Sequence, residues 1–171
     1  MFLDIKGVCQ LVQEMSRTFC DGPGKGIHLF VSTDRADDLR DCALAIAGAD
    51  PSNPMDVYVV QGNARGVHAW PFSRLRAGNR IRLRNDHTLV SENSLILPQI
   101  RPIVLLVESF GYLDHFDQRA YSHLVDGEGG EFALSQGSVL ISGVTGGDEE
   151  DIDEGSLDRG FYIGLRSEAV E

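Results

Sequence analysis

The run Ile103-Val104-Leu105-Leu106-Val107 most constrains what this chain can fold into. An apolar stretch with no polar break suits a strand buried on both faces, the condition of a parallel sheet layered with helices. Parallel neighbours need crossover connections, so the rest of the chain must alternate strands with helices. It does. Val8, Leu11, Val12, Met15 and Phe19 recur at three- and four-residue spacing and predict a helix that stops before Asp21-Gly22-Pro23-Gly24. Ile27 to Val31 follows as a short apolar strand, and Ser32-Thr33-Asp34 offers N-cap chemistry to a helix with Leu39, Ala43, Ile46 and Ala47 on one side. Val57-Tyr58-Val59-Val60 is a second strand. A helix capped near Asp114, with Phe116, Ala120 and Leu124 inward, follows the strongest strand. Ser138 to Ser142 and Phe161 to Leu165 complete the strand series.

These elements predict an α/β fold: a three-layer α/β/α sandwich around a mainly parallel sheet of about five strands. At 171 residues and 42% hydrophobic residues, residues 1–171 are expected to form one domain. Two segments stand apart. Residues 62–98 read as an arginine-rich irregular insertion with one or two short strands such as Arg80 to Arg84, and residues 146–158 read as an acidic loop. The formal charge of −11 disfavours nucleic acid as a partner, because that binding needs cations to displace condensed counterions. The opposite charges of the two segments suit docking to a protein partner or to a second copy.

No apolar run is long enough to cross a bilayer, and Met1 to Lys6 lacks the basic-then-apolar order of a signal peptide. A cytoplasmic protein without membrane contact is expected. Cys9, Cys20 and Cys42 lack the paired spacing of a zinc site and read as thiols in a reducing compartment, and the histidines read as structural or exposed. No metal and no cofactor are expected.

From about residue 5 to residue 166 the pattern resembles the nucleotide-binding core of the AAA+ ATPases, a P-loop NTPase-like fold. Arg101 to Leu113 looks like the Walker B strand and its turn, Val139 to Thr145 like the strand ending in the sensor residue, and Leu157 to Ile163 like the segment bearing the arginine finger, here Arg159. The resemblance implies a strand near residues 138 to 142 inside the sheet, not at its edge. It also implies a glycine-rich loop ending in Lys and Ser or Thr after the first strand, where backbone amides wrap phosphates. That position holds Ser32-Thr33-Asp34-Arg35, followed by Asp37 and Asp38, without glycine or lysine. Gly22 to Gly26 precedes the strand and so lies at the wrong end of the sheet. Val107 stands where the magnesium-holding Asp is expected, and Glu108 where a residue would polarise water.

The expected function is therefore that of a degenerate, non-catalytic member acting as an adaptor or structural subunit. Its contact residues would be Trp70, Arg74, Arg76, Arg80, Arg82, Arg84 and Arg159. Two alternatives stay open. Glu108 with Asp151 and Asp153 resembles the carboxylate set of Toprim domains, which hold Mg²⁺ for phosphoryl transfer on nucleic acid. Ser32 to Asp38 could otherwise form an atypical phosphate loop.

Overall fold

The computed structural model describes residues 2–22, 24–33, 35–60, 79–93, 101–144 and 152–166. In chain order the elements are β1 (Phe2–Leu3), α1 (Ile5–Phe19), β2 (Ile27–Ser32), α2 (Ala36–Ala47), β3 (Val57–Val60), β4 (Asn79–Leu83), β5 (Leu89–Asn93), β6 (Val104–Val107), α3 (His115–His123), β7 (Val139–Val144), α4 (Glu154–Asp158) and β8 (Phe161–Leu165). The strands form one sheet in the order β1-β8-β2-β7-β6-β3-β4-β5.

Alternation along the strands divides the core in two. In β2, Ile27, Leu29 and Val31 face a cluster that also holds Val8, Val12 and Met15 of α1 and Leu39, Ala43 and Ile46 of α2. Phe30 faces the other way, with Leu105 and Val107 of β6, Leu140 of β7, and Tyr121 and Leu124 from α3 and its end. Each of the larger aliphatic and phenylalanine side chains among these contributes about 1.5–3 kcal/mol on burial. Helix α1 starts where the Asp4 carboxylate accepts from the Gly7 amide at 2.8 Å, and its buried residues keep the helical period read from the sequence.

The sheet is larger than the expected five strands, and it is mixed. From β1 to β3 all neighbours are parallel, whereas β4 pairs with β3, and β5 with β4, antiparallel. Phe2 and Leu3 add a short strand beside β8, where Gly164 leaves room for the Phe2 ring. At the other end, residues 79–93, expected to be mostly irregular, form a hairpin. Its turn has Arg84 donating from its amide to Thr88 O and His87 at φ 68°. The second strand of the hairpin was hidden because Leu89-Val90-Ser91-Glu92-Asn93 does not alternate, and Val90 is exposed. The strand near residues 138 to 142 lies inside the sheet, between β2 and β6, as expected.

Two local expectations need correction. Phe116 is 78% exposed, and the inward face of α3 is Gln118, Tyr121 and Ser122. Gln118 is drawn in because its amide donates to Leu113 O at 3.0 Å and its Oε1 accepts from the Asp153 amide at 2.6 Å. Helix α2 has Arg35 at its N-cap with no side-chain cap; the Thr33 hydroxyl instead accepts from the Arg35 amide at 3.2 Å. No helix among the described residues is long and apolar enough to cross a membrane.

Candidate functional site

Open α/β sheets bind ligands beyond the carboxyl ends of strands, where neighbouring strands send their connections in opposite directions. Here β2 continues toward β3 on one side and β7 toward β8 on the other, so the crevice between their carboxyl ends is the place to look. Ser32 ends β2 and Thr33 follows it, Val144 ends β7, and Glu108 follows β6. The Glu108 amide donates to Val60 O at 3.1 Å and fixes the turn after β6. Gly143 permits that turn, because a Cβ there would lie 2.6 Å from both Glu108 O and Leu39 Cδ1.

Glu108 is buried at 8% exposure, and its Oε1 accepts from Arg40 Nη2 of α2 at 2.8 Å. The carboxylate that the AAA+ pattern would assign to water is therefore engaged by a guanidinium. The start of α2 sets two acids beside one arginine. Arg35 is exposed, Thr33 is turned toward the Arg35 backbone, and Asp37 and Asp38 occupy the first helical turn, where negative charge already satisfies the helix dipole. Ser32 is half-buried beside them; Asp34 lies outside the described residues.

Of the alternative carboxylate set, Glu108 and Asp153 are described, and each is engaged by partners of its own. Asp153 caps α4: its Oδ2 accepts from the Ser156 amide at 3.1 Å and the Ser156 hydroxyl at 3.2 Å, and its Oδ1 faces Arg119 Nε at 3.3 Å. Burial pushes its pKa up, but these hydrogen bonds and the Arg119 charge outweigh that and hold the carboxyl below the usual carboxylate range. Asp151 lies outside the described residues.

The arginines of the hairpin first meet acids of their own sheet. Arg80 Nε lies 3.3 Å from Glu92 and its guanidinium 5.1 Å from the centre of the Tyr58 ring, and Arg82 pairs with Asp56 at 2.8 Å. Arg84 is exposed beyond the end of β4. Trp70, Arg74 and Arg76 lie outside the described residues.

Arg159 lies elsewhere, at the amino-terminal edge of the sheet. Its Nη1 is 2.7 Å from Asp126 and 3.1 Å from Glu128, and His123 Nδ1 approaches the same Asp126 oxygen at 2.8 Å. The sequence reading took the histidines as structural or exposed and named neither Asp126 nor Glu128, so it does not contain this group. His-x-x-Asp-x-Glu at the end of a helix was the available signal. Beside it, His28 of β2 bonds Ser142 Oγ through Nε2 at 2.7 Å, and burial pushes its pKa down to about 3. No protein-family model matches the chain, and no curated protein matches it.

Proposed function

We propose that this chain is a non-catalytic, AAA+-like domain that acts through protein contacts as an adaptor or structural subunit. The observation that carries the reading is the Arg40–Glu108 pair at 2.8 Å: the carboxylate that would have to polarise water is buried and neutralised by the helix that should carry the phosphate loop. The inner position of β7 and the acids opening α2 support the same reading. A domain kept for its shape needs outward contacts. Phe116 and Tyr112 are exposed aromatics flanking the start of α3, and Arg84 is an exposed cation at the tip of the hairpin. Aromatic and arginine side chains dominate the energetics of protein interfaces.

The test is affinity capture from the source cell with wild type, Glu108→Gln, Phe116→Ser and Arg82→Glu/Arg84→Glu chains, each first shown to be folded. The proposal expects Glu108→Gln to retain the captured protein and at least one of the surface variants to lose it. Loss with Glu108→Gln, and retention by both surface variants, would favour the carboxylate-dependent enzyme instead.

A further inference from the structure

We propose that His123, Asp126 and Glu128 form a site for a divalent transition-metal ion of the zinc class, with Arg159 as a tethered cation sharing the same carboxylates. One ligand atom from each of the three residues lies within 4.8 Å of the others. His123 Nδ1 stands 2.8 Å from Asp126 Oδ2 and 3.5 Å from Glu128 Oε2. Ligands about 2.0–2.2 Å from a tetrahedral zinc ion lie about 3.3 Å apart, so small side-chain rotations bring the three onto one ion. An imidazole nitrogen with two carboxylates suits zinc better than magnesium, which prefers oxygen alone.

The surroundings orient the donors. The Glu128 amide donates to Asp126 Oδ1 at 2.9 Å, which leaves Oδ2 turned toward His123. The backbone of Asp126 forms an antiparallel β-bridge with that of Lys25, Gly127 holds φ 88°, and a Cβ on Gly129 would lie 2.6 Å from His123 O, so the turn carrying the acids is tied to the end of α3. Independently, the hydroxyl of Ser122, a residue 2% exposed, has no hydrogen-bond partner among the described residues. Ser122 lines the same cavity of about 410 Å³ as His123, Glu128 and Arg159. Two carboxylates face one guanidinium, so Arg159 alone leaves a negative charge for a second cation or for its replacement. The site does not depend on the adaptor reading.

Calorimetric titration of ZnCl₂ into the full chain near pH 7, after chelator treatment and its removal, tests this. The expected result is one ion per chain, at least tenfold weaker binding in Glu128→Gln and in His123→Gln, and binding as tight or tighter in Arg159→Gln. Glu128 is exposed, so its variant reports even if His123→Gln is unstable. Absence of binding by wild type overturns the site, as does wild-type affinity in Glu128→Gln. Binding by Arg159→Gln without binding by wild type overturns the site in the native chain, because Arg159 then takes the place of the ion. MgCl₂ matching zinc in affinity would overturn the metal class.

Discussion

Arg40 of α2 donates to Glu108, the residue after β6, across 2.8 Å, and so ties the helix that follows the first core strand to the turn that follows the central one. The side chains of the pair are 25% and 9% exposed, which places Glu108 out of water and in need of its cation. Arg40→Ala should lower stability by about 2 kcal/mol, because it strands a buried carboxylate, while Glu108→Gln should cost about 1 kcal/mol. Urea unfolding of the two variants measures both. Equal, negligible costs would mean that the pair does not hold the turn.

His28 makes stability depend on pH. Its pKa is about 3 in the fold and near 6.5 when the chain is unfolded, because burial penalises the charged ring. Between those values the unfolded chain binds the extra proton. The contribution is fully present above about pH 6.5 and is lost as pH falls toward 3, with a slope of about 1.4 kcal/mol per pH unit between roughly pH 6 and 4. Replacing His28 with Phe should remove about one proton's worth of that slope in urea unfolding followed over the same range. An unchanged slope would place the acid sensitivity elsewhere.

Helix α3 offers a paired comparison. Tyr121 is fully buried against the sheet, and Phe116 is 78% exposed. Tyr121→Ala should cost about 3–5 kcal/mol, and Phe116→Ser less than about 0.5 kcal/mol. Chemical denaturation of the two variants distinguishes the observed inward face from the one read from the sequence.

The alternation of apolar runs and helical spacing was sufficient to place the strands from Ile27 to Leu165 that form the parallel part of the sheet, because strands buried on both faces leave a continuous apolar signal. The edges were not legible in the same way. Phe2 and Leu3 are too short a strand to carry a pattern, and β5 is half solvated without alternation. Phe116 was misplaced because hydrophobicity alone cannot tell an exposed aromatic from a buried one, and Gln118 took the inward position through hydrogen bonds to Leu113 and Asp153 that only the fold assembles. At the candidate site, the absence of glycine and lysine from Ser32 to Asp38 and the place of Glu108 after β6 could be read from residue types. Arg40 as the partner of Glu108, and Arg159 as the partner of Asp126 and Glu128, could not, because each pair joins residues distant in sequence.

The central claim, that the carboxyl edge of this sheet no longer serves a nucleotide, is tested most directly by thermal unfolding in Mg²⁺ alone and in Mg²⁺ with millimolar ATP or ADP. A ligand that prefers the folded state raises the unfolding temperature. The account predicts the same midpoint with and without nucleotide. A rise with Mg²⁺ and ATP that Arg40→Ala or Glu108→Gln abolishes, in chains shown to be folded, would contradict it and return the site to nucleotide chemistry.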